Sequence, residues 1–292
     1  VEHLTFNQVV GGSNPPCFTI RSKSKSSLLL GKVGFFIFWE YVKRTSPTGG
    51  ITMDTGQKVI GKGKGLDSST LKIIAIIGMT MDHTGVIFGE FLPLWVKCIL
   101  LSFGGLTFPI MAYLMGEGYK HTRNIKKYML RLLIFAMIAQ VPYFIFLMKQ
   151  LNVLFTLLLG LLTIYIIERS KSRNISVLVI VGFTIVSVVC DWGIMGIPMI
   201  LMYYYQKDRT KRVTLPLLIP FAFFALSIVM QLVAGRPILE VLPDLLFLVV
   251  GCSLTIPLLS SYNGKRGRSM RYFFYAYYPL HIIILGLLRL LI

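Results

Sequence analysis

The stretch FPIMAYLMGEGYKHTRNIKKYMLR, residues 108–131, decides the fold. An apolar segment ends at Gly116-Glu117-Gly118, a short basic stretch follows, and a second apolar segment begins at once. The basic stretch is too short to form a domain and too polar to lie in lipid. This pattern is typical of a hairpin between two membrane helices whose turn lies at the cytoplasmic surface.

The composition indicates the same class for the whole chain. Of 292 residues, 55% are hydrophobic and only 14% are charged, and the mean hydropathy is +0.71. Apolar segments long enough to cross a bilayer recur along the chain, since a spanning helix needs about 20 such residues. We therefore predict an all-α fold, a polytopic integral membrane helix bundle.

Nine apolar segments give the topology. They lie at about 70–88, 92–116, 126–148, 151–167, 175–190, 193–206, 213–233, 241–260 and 271–291. The fifth and sixth are short, as tilted or partly re-entrant segments are. Most Lys and Arg residues fall in alternate loops, so the positive-inside rule predicts about nine transmembrane helices with a cytoplasmic N-terminus and an outer C-terminus. The predicted location is the cell (plasma) membrane, which is the inner membrane of a bacterial cell.

The basic charge points to membrane lipids and not to nucleic acid. A formal net charge of +18 would suggest nucleic acid in a soluble protein, but here the cations lie in short loops between apolar segments. The four cysteines lack metal-ligand spacing, and the chain contains no Walker, HExxH or CxxC motif. The sequence therefore predicts no metal site and no soluble-enzyme nucleotide site.

The N-terminal part differs from the rest. Residues 1–52 fit neither a signal peptide nor a domain, and the run VEHLTFNQVVGGSNPPCFT resembles the translation of a transfer-RNA gene. Our hypothesis is that translation begins at Met53 and that residues 1–52 are non-native upstream sequence or a disordered tail. Residues 53–69 are predicted to be a flexible basic cytoplasmic tail, and residues 70–292 the transmembrane domain.

Three ionisable residues within the apolar segments are the candidate catalytic residues. Asp82 and His83 lie in the outer half of the first segment, and His281 lies near the middle of the last. Such groups cost several kcal/mol in lipid unless they face a partner or a wet cavity, so function is the default hypothesis and a structural hydrogen bond the alternative. Neighbouring residues on a helix point about 100° apart, so Asp82 and His83 are expected to face two neighbours of one pocket.

Other polar residues are predicted at the same outer depth: Gln140, Asn152, Thr156 and Asp191. Each alone is more typical of a hydrogen bond between helices. Together with Asp82 and His83 they indicate a polar cavity open to the outside, in which a substrate would bind.

A second polar group lies at the inner elbow: Glu117, His121, Arg123, Asn124, Lys127 and Arg131. Residues 263–267 form another basic elbow. Arg binds phosphate bidentately and Lys adds a point charge, so the first elbow is a candidate site for a phosphorylated donor. Surface cations beside anionic lipid are the alternative.

Several of these pieces together resemble one family. They are LKIIAIIGMTMDHTG, LTFPIMAYLMGEGYKHTRNIKKYMLRLLIFAMIAQVPY, NVLFTLLLGL, DWGIMGI, and YNGKRG followed by RYFFYAYYPLHIIIL. In this order they resemble the TraX family, from about residue 71 to the C-terminus. The best-known member of that family N-acetylates the conjugative pilin of F-type plasmids.

The resemblance implies an integral membrane acetyltransferase. It would transfer acetyl from cytoplasmic acetyl-CoA to an acceptor such as a pilin N-terminus or a cell-envelope molecule. His83 would deprotonate the acceptor or carry the acetyl group itself, and Asp82 would orient the ring or stabilise the imidazolium. His281 would belong to the same catalytic group within the membrane. The donor phosphates would be held by Arg123, Lys127 and Arg131.

A different class of function stays open at this point. Intramembrane Asp and His residues are also typical of proton-coupled transporters, and a non-enzymatic membrane assembly factor for conjugation or a pilus would fit the same sequence. Against a transporter, the chain shows no inverted repeat with matched broken helices in two halves. Saturable binding of acyl-CoA would separate the enzyme from the other two.

Overall fold

The computed structural model describes residues 65–292, apart from the side chain of Arg271. Within that part the chain is helical and has no strands. Its α-helices are α1 (Ser68–Phe88), α2 (Leu94–Gly104), α3 (Thr107–His121), α4 (Ile125–Phe146), α5 (Val153–Ile167), α6 (Arg173–Val186), α7 (Gly193–Tyr205), α8 (Arg209–Thr214), α9 (Leu218–Val233), α10 (Ile238–Leu246), α11 (Ser253–Ser260) and α12 (Arg271–Leu290). Residues 1–52 and residues 53–64 of the predicted tail lie outside the described residues, so the hypotheses about them stay predictions.

Six helical stretches in this part are long and apolar enough to cross a membrane: Ser68–Phe88, Leu94–His121, Ile125–Phe146, Arg209–Val233, Ile238–Ser260 and Tyr272–Leu290. Three apolar helices are shorter: Val153–Ile167, Arg173–Val189 and Gly193–Tyr205. Together they occupy the nine predicted segments. The all-α, polytopic membrane fold is therefore confirmed.

The fourth segment is shorter than the sequence suggested. The Asn152 side chain accepts a hydrogen bond from the Leu154 N–H at 3.0 Å, so α5 begins only at Val153. At 1.5 Å per residue its 15 residues rise about 22 Å, against a hydrocarbon thickness of about 30 Å. Three consecutive helices, α5 to α7, are thus shorter than an ordinary spanning helix.

Side-chain caps fix the first residues of α1 and α4. The Asp67 carboxylate accepts from the Thr70 N–H at 2.8 Å and from the Ser69 hydroxyl at 2.7 Å, which starts α1. These hydrogen bonds hold the pKa of Asp67 below its ordinary value, because they favour the ionised carboxylate. Asn124 starts α4 in the same way, accepting from the Lys127 N–H at 3.0 Å.

The centre of the bundle is α7 with α3 and α5 packed around it. Every residue from Met195 to Tyr204 is buried, and the rings of Tyr113 and Tyr203 meet edge to face at 5.6 Å. In contrast, α4 exposes large apolar side chains such as Met137 and Val141. Since that surface is apolar, it suits contact with lipid tails and not with water.

Two helices touch backbone to backbone through glycines. A π-helical segment, Phe247–Cys252, joins α10 to α11 and lies against Gly105 at the end of α2. A Cβ on Gly251 would lie 2.2 Å from the Ser102 carbonyl oxygen, and one on Gly105 2.3 Å from that of Phe247. Small residues allow this approach, which brings the C-terminal part of the chain against α2.

Candidate functional site

The structure joins two of the predicted catalytic residues directly. His83 on α1 and His281 on α12 are both buried, and their Nδ1 and Nε2 atoms lie 2.7 Å apart. The rings are nearly parallel, at 7°, with centroids 5.0 Å apart. One helical turn below, the Thr80 and Tyr277 hydroxyl groups are 2.7 Å apart. The α1–α12 interface therefore carries a polar seam through otherwise apolar helices.

The hydrogen-bond network assigns the tautomers of the pair. His281 Nδ1 lies 2.9 Å from the Tyr277 carbonyl oxygen, which can only accept, so Nδ1 carries the proton. In a neutral ring His281 Nε2 then accepts, and His83 Nδ1 donates to it. Among the described residues His83 Nε2 has no hydrogen-bond partner. His83 thus presents a free lone pair on Nε2.

Asp82 points to a different neighbour. Its carboxylate rests on Gly104 of α2, where a Cβ would lie 2.1 Å from Oδ1. Only a glycine leaves room for the acid at this contact. As the spacing along α1 predicts, the two adjacent side chains face α2 and α12 respectively.

Replacing Gly104 with alanine is expected to displace the Asp82 carboxylate, because the new methyl group would occupy its position. Overpacking of this kind typically costs about 1–3 kcal/mol. We expect a lower thermal midpoint and a loss of whatever activity depends on Asp82. Gly182 is the matched control, since no atom lies within 4 Å of a Cβ there; equal midpoints and activities for the two alanine variants would contradict the contact.

The loop before α7 brings a second carboxylate to the same region. Asp191 Oδ1 accepts from the Trp192 N–H at 2.9 Å, Tyr143 interacts with the carboxyl group, and burial raises the pKa of Asp191 to about 6. Asp191 is also near enough to Asp82 for electrostatic repulsion. Trp192 has a left-handed backbone, with φ of 59°, and stacks on Phe108 at 4.5 Å. Such a conformation is rare for a bulky residue and marks a tightly fixed loop.

The other predicted substrate residues hold this loop in place. Asn152 donates to the Ala136 carbonyl at 2.8 Å and to Gln140 Oε1 at 3.0 Å. Gln140 donates to the Gln150 carbonyl at 2.8 Å, and the Thr156 hydroxyl donates to the Asp191 carbonyl. The structure therefore gives Gln140, Asn152 and Thr156 protein partners, and their contact with a substrate stays a prediction.

At the end of the bundle that is predicted to be cytoplasmic, Glu117 is paired with a residue that the sequence did not single out. Arg212 is buried, donates from Nε to the Tyr203 carbonyl at 2.7 Å and forms an ion pair with Glu117. Its guanidinium group lies 4.4 Å from the centre of the Tyr113 ring. Lys120 is 3.4 Å from the same carboxylate. Glu117 thus belongs to a charge cluster around the buried Arg212, and its role toward a donor stays a prediction.

The remaining residues of the inner elbow lie at the surface. The side chains of His121, Arg123 and Lys127 are exposed, while Asn124 caps α4. Arg131 is half-buried, and its Nε atom is buried with no hydrogen-bond partner among the described residues. The elbow therefore offers cations for a donor, but the structure does not bring all six predicted residues together.

Sequence reasoning missed Tyr143 and Tyr278, both buried beside Asp191. The Tyr278 ring also lies 5.8 Å from that of His281. Tyr278 could have been found, because it precedes His281 by three residues and so shares its helix face. Tyr143 carries no such signal, since its position depends on how α4 packs against the loop.

Comparison with known proteins decides the family. The family model described as "TraX protein" matches residues 67–289. The chain belongs to the TraX family. It is also similar to "Probable fimbrial assembly protein FimC, serogroup H1" of Dichelobacter nodosus, with 32% identity over 235 residues, which cover 74% of this chain and 92% of that relative. No solved structure matches. With six long apolar helices among residues 65–292, this TraX protein is a multi-pass membrane protein.

Proposed function

We propose that this TraX protein is an integral membrane acetyltransferase that uses cytoplasmic acetyl-CoA as donor. The observation that carries the proposal is the free lone pair on His83 Nε2, held by the hydrogen bond to His281. A neutral imidazole fixed in one tautomer is suited to act as a general base. The TraX family, whose best-known member acetylates a pilin, supports the same activity.

The chemistry needs one proton acceptor at the reacting nitrogen. As the acceptor amine bonds to the acetyl carbon, His83 Nε2 takes its proton, and the carbon–sulfur bond to the leaving thiolate breaks. The proton then neutralises the thiolate. During this step His281 accepts the hydrogen bond from His83 Nδ1–H and so stabilises the imidazolium, as the second partner of a catalytic pair does.

Asp82 and Asp191 suit an amine acceptor. Both residues are half-buried, and neither carboxylate forms an ion pair with a cation among the described residues. Two unpaired carboxylates beside the Tyr143 and Tyr278 rings favour a positively charged group, and an ammonium bound there would give one proton to a carboxylate before the neutral amine attacks. We propose the amino terminus of a pilin or another cell-envelope molecule, and thus a role in pilus assembly or conjugation. The name of the fimbrial assembly relative supports this choice.

The donor would approach from the inner end. His121, Arg123 and Lys127 are exposed there, and their side chains are available for the phosphate groups of coenzyme A. Because His83 lies in the outer half of α1 by the predicted topology, the acetyl group would travel along the bundle to reach it.

The test is acetyl transfer by the purified protein in detergent. The protein would be incubated with [¹⁴C]acetyl-CoA and a peptide that has a pilin-like free amino terminus, and the labelled peptide would be counted. We expect label on the peptide with the free terminus and none on the same peptide with a blocked terminus. Absence of both acetyl-CoA binding and transfer would reject the enzyme and favour a transporter or a non-enzymatic assembly factor.

A further inference from the structure

A basic cleft lies where the start of α1 meets the start of α12, apart from the histidine pair and from the elbow between α3 and α4. Its lining residues are Ser69, Lys72, Arg266, Arg268, Ser269, Met270 and Phe274. The cleft has a volume of about 30 Å³, and one water needs roughly 10–15 Å³. It therefore has room for one small polar group and not for a whole nucleotide.

The fold holds the cleft open in a defined shape. The loop before α12 is tied to the start of α1, because the Asn263 N–H donates to the Leu66 carbonyl and the Ser68 N–H to the Lys265 carbonyl, both at 2.9 Å. Next to these bonds, the Arg268 N–H donates to the Ser69 hydroxyl at 3.1 Å. The loop thus presents its side chains from a fixed backbone.

The cleft carries more positive charge than its neighbours neutralise. The Arg266 guanidinium donates only to the Ser269 hydroxyl, at 3.3 Å, and that of Arg268 has no hydrogen-bond partner among the described residues. Lys72 Nζ lies 5.5 Å from the centre of the Phe274 ring. The nearby acid, Asp67, is engaged in capping α1. Neither arginine thus forms an ion pair with a carboxylate among the described residues, which favours an anion.

We propose that this cleft binds a single phosphate group. Two guanidinium groups, an ammonium group and the Ser269 hydroxyl are the kinds of donor that recognise phosphate oxygens. The phosphate could belong to the acetyl donor, which rests on the proposed function, or to the headgroup of an anionic lipid. Both sources supply the same chemistry at the inner surface.

The position of the cleft favours the donor. Three contacts follow one another along the α1–α12 interface: Lys72 with Phe274, Thr80 with Tyr277, and His83 with His281. The cleft is the inner end of this seam and the histidine pair its outer part. Eleven residues of helix separate Lys72 from His83, which is about 16 Å at 1.5 Å per residue. A donor anchored by phosphate in the cleft would therefore lie along the path to His83.

The test measures inorganic pyrophosphate binding by calorimetry, with the full chain in phosphatidylcholine nanodiscs. The Arg266→Gln/Arg268→Gln double variant should bind pyrophosphate at least about tenfold more weakly, since each lost charge-assisted bond is worth a large factor. Lys265→Gln is the control, because Lys265 is on the same loop but does not line the cleft. It should bind as the unaltered protein does. Both arginine side chains are exposed, so equal thermal midpoints are expected.

Competition separates the two sources. If coenzyme A displaces pyrophosphate, the donor occupies the cleft; if phosphatidylglycerol in the nanodisc displaces it and coenzyme A does not, a lipid headgroup does. Either result supports a phosphate site. Pyrophosphate binding that is absent, or equal in the double variant and the Lys265→Gln control, would overturn it. Pyrophosphate binding without any acetyl transfer would instead reject the proposed enzyme and leave the cleft in place.

Discussion

Replacing His83 with alanine is expected to abolish most acetyl transfer, lowering kcat by about 10²–10⁴-fold, the usual contribution of a general base. The variant loses the only lone pair that the histidine pair presents, since His281 Nδ1 donates to the Tyr277 carbonyl. The lone pair of His281 Nε2 loses its donor in the variant, but this nitrogen lies where it met His83 Nδ1 and not at the position of His83 Nε2. The measurement is the initial rate of peptide acetylation at saturating acetyl-CoA.

The control must lie on the same helix. Ile77→Val changes a side chain that is 54% exposed on the apolar surface of α1, so we expect wild-type rates from it. His83→Ala must also bind coenzyme A normally, which separates lost chemistry from lost folding. A His83→Ala protein that acetylates at the wild-type rate would end the assignment of His83 as base or acetyl carrier.

Replacing Arg212 with methionine is expected to destabilise the fold by about 3–5 kcal/mol, the typical cost of removing one partner of a buried ion pair. Methionine keeps the length of the side chain but leaves the Glu117 carboxylate and the Tyr203 carbonyl without their donor. Lys120 Nζ lies 3.4 Å from the Glu117 carboxylate but is partly exposed, so it compensates for little of the lost interaction. The free energy of unfolding would be measured by denaturant titration in mixed micelles.

Two further variants provide a control and an independent test of this prediction. Arg236→Met removes an exposed arginine that only contacts Gln231, and we expect a change near zero. Adding Glu117→Gln to Arg212→Met should recover part of the loss, because the orphaned charge is then neutral. A change of under about 1 kcal/mol in Arg212→Met would show that the ion pair is not part of the fold's stability.

The fold class and its apolar segments could be predicted because they depend on local composition. Length and hydropathy fix which segments can cross a bilayer, and the helices occupy those segments. The buried Arg212 shows where prediction from local composition fails. The charge pattern places it among the cations of a loop, yet it turns inward to Glu117. That contact joins positions 95 residues apart, and nothing local in the sequence encodes it.

The candidate site could likewise be predicted where it depends on local sequence and not where it depends on contacts between distant residues. Asp82, His83 and His281 were candidates because an ionisable group in an apolar helix is costly, and the two histidines do meet. Which nitrogen is free could not be predicted, since it depends on the carbonyl of Tyr277 and on the packing of α12 against α1. Asn152 and Asn124, in contrast, act as helix caps, a role that their place before an apolar run could have indicated.

The short helices α5 to α7 have a consequence for the surrounding bilayer. On α6, Leu178, Ile185 and Val188 just beyond it are more than half exposed, so lipid tails pack directly against a helix that rises only about 21 Å. The hydrophobic mismatch of a helix that is too short is relieved by local thinning of the membrane or by snorkelling of flanking residues. Thinning would make the hydrocarbon layer beside α5 to α7 thinner than elsewhere. A polar group that moves along this side of the bundle would then cross less hydrocarbon.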